Sequence, residues 1–497
     1  MTNNLSPLTG VSFFLTIIAL ALGNFMTVLD TTITNVSIPT ISGNLGVSAN
    51  EGTWVITMYA VAEAVTMPLT GWLTNRFGQV RVFVVATFAF VIFSLLCGLA
   101  WSLEALVIFR VLQGLAGGPL IPLSSTLLVS IFPKDKSHVA VAIWGLTSVS
   151  APVLGPVLGG WICDNSSWSW IFYINIPVGL FLACVVWFFM KKRDNATTKS
   201  PIDYIGLILL VVFVTSLQLA LDKGRELDWF DSTFIVGCSV TATLSLIVLV
   251  IWELTDKNPV LDLSVFKSRN WLVSTITLSF MFGLFFGNIV ISPLWLQQQM
   301  GYTALWSGLA LAPMGISAVI ASPIVGKLMP KVDHRLIVTV GMSILGVSFY
   351  LRANFTSEVD FFTITVPMFI IGAGASACLV TLIQLGISDL PAQKVTGGTG
   401  LQNFLRILSM AIGSSLSQTY WERSQRESRS ELVSILNEDF INDGIANMAG
   451  EAVLENFSHL VDVQAMMLGT NDFYAWASVL MFIFASFIWL VKKNETF

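Results

Sequence analysis

The sequence predicts an all-α polytopic membrane protein: fourteen transmembrane helices, two six-helix bundles with two additional helices between them. Three observations carry this expectation. Of 497 residues, 55% are hydrophobic and only 11% charged, with a mean hydropathy of +0.78. A soluble domain holds about 25% charged residues, so the chain has too little polar side chain to coat a water-facing surface. Fourteen apolar stretches approach the ~20 residues that a helix needs to cross a bilayer. The lysines and arginines collect in alternate connections between those stretches.

Each candidate helix is an apolar run closed by a polar or Gly/Pro-rich break. The first six lie at about 12–38, 52–72, 80–100, 103–130, 139–162 and 168–190. The basic stretch KKRDNATTKS then separates them from two more at about 203–221 and 233–254. The last six lie at about 271–299, 303–329, 336–352, 361–387, 397–420 and 472–491. The domain reading is therefore 1–194 for an N-terminal bundle, 195–258 for two linker helices, and 259–497 for a C-terminal bundle that includes an outer loop at 422–470. That loop is acidic, with apolar residues at near-helical spacing, and is expected to form a solvated outer helical hairpin. The N-terminus MTNNLSPLTG lacks the basic start and small-residue cleavage site of a signal peptide, so the first apolar segment is expected to stay.

Orientation follows from charge. With the N-terminus inside, seventeen of the 25 basic residues fall in cytoplasmic connections, among them Arg76, Arg81, Lys136, Lys191, Lys192 and Arg193. Six fall outside: Lys223, Arg225, Arg352, Arg423, Arg426 and Arg429. The bias predicts a multi-pass protein with both termini cytoplasmic.

Several classes are excluded or unsupported. Cys97, Cys163, Cys184, Cys238 and Cys378 have neither pairing nor CxxC spacing, and free thiols are expected. His138, His334 and His459 fall in three separate polar connections, so no metal cluster is expected. No nucleophile–base set appears, so no enzyme and no catalytic residue is expected. No lysine/arginine block suggests a nucleic-acid partner. One internal repeat stands out: Pro68-Leu69-Thr70-Gly71, closing the second helix, recurs as Pro323-Ile324-Val325-Gly326 closing the tenth, each before a short basic loop. Such repeats mark secondary transporters; a chance recurrence is the alternative.

Charges at bilayer depth are functional candidates because each costs a few kcal/mol at least. Asp30 lies on a stripe with Thr27, Thr34 and Ser37, and Glu63 on one with Tyr59, Thr66 and Thr70. Two polar stripes on adjacent helices suggest a shared wet cavity. Arg110 shares a face with Gln113, Gly114 and Gly117, and Arg406 aligns with Asn403, Gly413 and Ser417. Each arginine needs a carboxylate or backbone carbonyls. A structural buried pair or helix cap is the bland alternative for all four charges. The fifth helix carries Gly145, Pro152, Gly155, Pro156, Gly159 and Gly160, a packing and hinge surface whose density suggests a moving interface.

These residues carry a family resemblance. Gly71-Trp72-Leu73-Thr74-Asn75-Arg76-Phe77-Gly78-Gln79-Val80-Arg81 resembles the signature loop between helices two and three of the major facilitator superfamily. Phe109-Arg110-Val111-Leu112-Gln113-Gly114 resembles the fourth-helix motif of its proton-coupled members, and Gly145 to Gly160 is similar to its antiporter motif. The run from Leu29 to Pro39 is similar to the first-helix motif of the fourteen-helix drug:proton antiporter subfamily. Segments such as GTWVIT, MPLTGWL, LDKGRELDWF and IWELTD extend the resemblance over essentially the whole chain, more loosely in 422–470.

The resemblance implies a major facilitator fold and export of hydrophobic, drug-like compounds by drug:proton antiport, driven by the proton gradient without a cofactor. It implies that Asp30 is a proton/substrate carboxylate, that Arg110 stands beside the proton path, and that Gly71, Asn75, Arg76, Gly78 and Arg81 belong to a cytoplasmic gate loop. It also implies that the membrane is the bacterial inner membrane, and it implies two partners, a periplasmic membrane-fusion adaptor and a TolC-like outer-membrane channel. The chain departs from the pattern at Asn75, where an acid is usual, and at Gln79, where a base is usual, which puts a charge relay through the loop in question. Glu63 has no counterpart in that pattern; it is either a proton site of this chain's own or a change in specificity. An uptake symporter or facilitator on the same fold is the main functional alternative. An antiporter-like respiratory subunit would use intramembrane lysines, which this chain lacks.

Overall fold

The computed structural model describes residues 10–133, 136–194, 197, 203–256, 259–442 and 451–492. Helices account for nearly all of them, and no strand occurs among the described residues. In lipid the backbone must satisfy its own hydrogen bonds, and a helix does so within one segment.

The N-terminal half is built from α1 (Gly10–Leu45), the single turn α2 (Ala49–Gly52), α3 (Trp54–Phe77), α4 (Gln79–Gly98), α5 (Leu103–Gly117), α6 (Leu120–Ile131), α7 (Ser137–Asn165), the turn α8 (Trp170–Tyr173) and α9 (Asn175–Met190). Then come α10 (Tyr204–Gly224) and α11 (Thr233–Thr255), followed by α12 (Arg269–Gln298), α13 (Ala304–Leu328), α14 (His334–Arg352), α15 (Phe361–Ser388), α16 (Ala392–Asn442) and α17 (Glu451–Phe487). α5 and α6 together make one crossing, broken where Gly118-Pro119 removes a backbone donor. α2 and α8 are too short to cross, so fourteen crossings remain among the described residues, matching the sequence expectation.

Twelve of these crossings are long and apolar enough to span a bilayer by length and composition alone; α3 and α16 are the two that fall short. Their middles carry Glu63, Thr66 and Thr70, and Gln402, Asn403 and Arg406. Both pack on each other between the two halves, so their polar residues face protein rather than lipid.

The face at which α1 begins is called here the near face, the other the far face. At the near face the repeat glycines meet the opposite half. A Cβ on Gly71 of α3 would lie 3.1 Å from Gly397 Cα of α16, and one on Gly326 of α13 lies 3.1 Å from Ala142 Cβ of α7. Each copy of the Pro-x-x-Gly motif therefore closes a contact across the halves. α10 ties the halves together at the far face. Thr57 of α3 donates to Asp222, Ser415 of α16 donates to the Leu221 carbonyl (2.9 Å), and Arg225 pairs with Glu422 of α16 (3.0 Å).

Three sequence expectations are refined here. The 422–470 segment is helical and paired, as expected, but it is not a separate unit: α16 continues to Asn442 and α17 begins at Glu451, so the two spanning helices themselves extend beyond the far face; residues 443–450 lie outside the described residues. Trp421 Nε1 to Thr470 (2.8 Å), Ser424 to Asp472 (2.6 Å) and Arg429 to Asp462 (2.5 Å) zip the extension together. Arg352 is not in an outer loop either; it is the last residue of α14 and is fully buried. The three histidines likewise lie in helices (α7, α14 and α17), not in loops, and no group of three metal-ligating side chains occurs among the described residues.

The glycines of α7 divide by face. A Cβ on Gly155 would collide with the Thr32 side chain and approach the Ile33 nitrogen of α1 at 3.1 Å, and one on Gly159 would meet the Ile33 carbonyl at 3.1 Å. Gly145 faces the other half, with Val380 of α15 2.7 Å from its would-be Cβ, while Gly160 faces open space. Pro152 and Pro156 sit inside the helix between these contacts. Gly155→Leu is therefore expected to lower stability by about 1–3 kcal/mol through overpacking, whereas Gly160→Leu stays within about 0.5 kcal/mol of wild type. Unfolding midpoints of the two variants in one detergent check this; equal losses would show that the faces are not distinct.

Candidate functional site

The residues singled out at bilayer depth converge on two adjoining centres. The first is built on Asp30 of α1. Its carboxylate accepts Arg110 Nη1 of α5 at 2.5 Å, Gln113 Nε2 at 3.1 Å and Asn175 Nδ2 of α9 at 2.7 Å. Arg110 also donates Nε to the Val55 carbonyl of α3 (3.3 Å) and Nη1 to Gln113 Oε1 (2.8 Å), and its guanidinium lies 3.9 Å from the centre of the Tyr59 ring. Asp30, Arg110 and Gln113 are all buried. A buried ion pair survives only with close geometry and further hydrogen bonds, and both are present. Nη2 of Arg110 is left without an acceptor among the described residues.

Local sequence explains how α5 comes so near. A Cβ on Gly114 would lie 2.5 Å from the Tyr59 carbonyl and 3.2 Å from the Glu63 nitrogen, and one on Gly117 would lie 2.9 Å from the Tyr59 hydroxyl. The missing side chains let α5 press against α3 at the level of Tyr59 and Glu63. Tyr59 in turn donates to Glu63 Oε1 at 3.3 Å, which links the first centre to the second.

The second centre joins the two halves. Glu63 of α3 and Arg406 of α16 line one cavity of about 40 Å³, together with Thr31 and Thr32 of α1, Ser148 of α7 and Phe282 and Phe286 of α12. That is room for water, not for a drug. Arg406 lies over Phe282 (4.8 Å) and Trp144 (5.3 Å), and its Nε has no acceptor among the described residues.

A water-sized cavity shared by α1 and α3 does form, but most of the two expected polar stripes does not line it. The hydroxyls of Thr27, Thr34 and Ser37 bond the backbone carbonyls of their own helix, at Gly23, Asp30 and Ile33. Thr66 and Thr70 do likewise, at Ala62 and Thr66. Hydroxyls that satisfy themselves one turn back need no water. On α1 it is Thr31 and Thr32, off the expected stripe, that reach the cavity. Of the residues aligned with Arg406, Gly413 and Ser417 turn to Gly283 and Gly287 of α12 instead.

The gate-loop residues sit at the near face. Gly78 ends α3 with φ of +95°, where a Cβ would run into the Asp194 carboxylate. Asp194, following α9, accepts the Val80 N–H at 2.9 Å and lies 3.6 Å from Arg81. The loop thus receives a carboxylate from elsewhere in the chain although Asn75, exposed, supplies none. Arg76 lies over Trp72 (5.6 Å) and Phe77 (5.8 Å).

Sequence reasoning missed Asn175, Asp194 and the Arg352 cluster. Arg352 donates to Asn288 and to Ser292 (3.0 Å) of α12 and lies 3.8 Å from the Tyr474 ring, with no acid within ion-pair distance among the described residues. Placing the end of the eleventh helix at Arg352 hid it. Asn175 carries a signal in the sequence, an amide inside the apolar run 168–190.

This fold and this centre define a secondary transporter, and residues 20–414 match the Major Facilitator Superfamily. The chain belongs to that family. It is 43% identical to the multidrug export protein EmrB of Haemophilus influenzae, over 98% of this chain and 97% of that one. It is 40% identical to EmrB of Escherichia coli K12 (98% and 96% covered) and to the fatty acid resistance protein FarB of Neisseria gonorrhoeae (98% and 97% covered). Among solved structures, the proton:xylose symporter XylE superposes with a TM-score of 0.58 at 13% identity, covering 97% of each chain, a likeness of fold.

Removing one member of a buried pair costs about 3–5 kcal/mol because the other charge is left uncompensated. Asp30→Asn is expected to lower stability by that order, and Arg110→Gln in the same background to recover part of the loss. A double-mutant cycle on unfolding free energies measures this, and strictly additive effects would show that the two charges are not coupled.

Proposed function

We propose that this chain is a proton-coupled multidrug efflux transporter of the bacterial inner membrane. It exports hydrophobic toxic compounds by drug:proton antiport with alternating access. The observation that carries this reading is the buried Asp30–Arg110 pair, linked through Tyr59 to a second carboxylate, Glu63, at the junction of the halves. The names of the EmrB relatives support the substrate class. The positive-inside bias makes the near face cytoplasmic and the far face periplasmic. Partners on the far face are an EmrA-like membrane-fusion adaptor and, through it, a TolC-like outer-membrane channel.

A proton on Asp30 neutralises the anion that holds Arg110, and the Gln113 and Asn175 amides lose the charge they solvate. Protonated and unprotonated states therefore favour different packings of α1, α3, α5 and α9. A drug bound between the halves favours one access state and a proton the other, and export follows if each ligand differs in affinity between the states. The 40 Å³ cavity at Glu63 must widen to admit a drug. The gate loop and the α7 contacts are the surfaces across which the halves rock.

In inverted vesicles carrying a pH gradient, drug addition is expected to release protons. Asp30→Asn should abolish that release and lower drug resistance in cells by about tenfold or more, the effect of ~1.4 kcal/mol. Drug accumulation in cells on expression, or proton release unimpaired in the variant, would overturn the reading.

A further inference from the structure

Arg406 is a buried cation without a hydrogen-bond or ion-pair partner among the described residues; its contacts are with the rings of Phe282 and Trp144. An uncompensated guanidinium at bilayer depth is expensive and draws in whatever negative charge it can reach. Within the cavity it lines, that charge is Glu63, on the other half of the molecule.

The surroundings of Glu63 are otherwise closed. Its own helix brings Tyr59, α5 brings Arg110 and α1 brings Asp30. Arg110 is already engaged by Asp30, so Arg406 is the cation left to answer Glu63. α6 carries no ionisable side chain; Arg81 at the start of α4 lies beside Asp194 at the near face; Asp222 and Lys223 of α10 meet α3 at Thr57 and Trp54, near its far end. The helices that carry the two charges are also the two whose middles are too polar to span by composition alone.

We propose that Glu63 and Arg406 form a proton-operated latch between the two halves. With Glu63 ionised, its attraction for Arg406 draws α16 against α3 and keeps the central cavity collapsed. A proton taken up from solvent by the Glu63 carboxylate removes that attraction, and α3 and α16 part at this level. When the proton leaves to the other side, the latch closes again. Arg406 is thus a positioning residue: it moves no proton but converts the charge state of Glu63 into a separation of helices. The proposal rests on the reading of the chain as a proton-coupled transporter.

Distances between spin labels at Asn44 and Asn354, exposed far-face positions of the two halves, test it in lipid nanodiscs without drug. The accessible or partly accessible cysteines Cys163, Cys184 and Cys238 are replaced by serine beforehand. Between pH 8 and pH 5 the wild-type ratio of open to closed populations is expected to change by about tenfold or more. Glu63→Gln should show the acid distribution at every pH, and so should Arg406→Gln. Arg406→Lys, which keeps the charge, should restore the pH dependence and guards against a folding artefact. A Glu63→Gln protein that follows pH as the wild type does would overturn the latch. Wild-type distances indifferent to pH, with drug-driven proton release intact, would overturn the latch alone. A pH response without any drug-driven proton release would refute the transporter reading and leave the latch standing.

Discussion

A carboxylate and a guanidinium removed from water hold the N-terminal half together. Asp30 and Arg110 meet at 2.5 Å, and the remaining valences of the pair recruit Gln113, Asn175, the Val55 carbonyl and the face of Tyr59. Those groups come from α1, α3, α5 and α9, and Asn175 donates onward to Ser94 of α4 at 3.1 Å. Five helices are therefore oriented by one pair of charges. The glycines of α5 serve the same end, because a side chain at Gly114 would push Arg110 away from α3. Lipid offers no substitute for any of these partners, so the pair dictates its own surroundings.

The other two buried arginines show how differently the same group can be managed. Arg352 is met by a neutral set, Asn288, Ser292 and Tyr474, and ties α14 to α12 and α17 within one half. Arg406 has aromatic faces and, across the interface, Glu63. A charge satisfied inside one bundle stiffens that bundle; a charge that faces the other bundle bears on whether the two stay together. α10 ties the two halves at the far face through Thr57, Ser415 and Glu422.

Much of this was legible from residues alone, and the misses share a cause. The fourteen crossings, Asp30, Arg110 and Gln113 follow from apolar run length and from the cost of charge in lipid, both local properties of the chain. Most of the polar-stripe hydroxyls do not reach the cavity, because a hydroxyl on a helix can face water or bond its own backbone one turn back, and spacing does not distinguish the two. Asp194 was missed because the gate loop draws its carboxylate from a position more than a hundred residues away.

The sequence by itself determined the solvent, the number of crossings and which few charges had to be sheltered, because each of these is a sum over neighbouring residues. Pairing was decided by the tertiary structure alone. That Arg110 takes Asp30 rather than Glu63, that Arg352 is buried with no acid, and that Arg406 faces the opposite half depend on which helices lie side by side. Helix packing is governed by where glycines permit close approach and where buried polar groups demand partners, and both are conditions that distant segments must meet together.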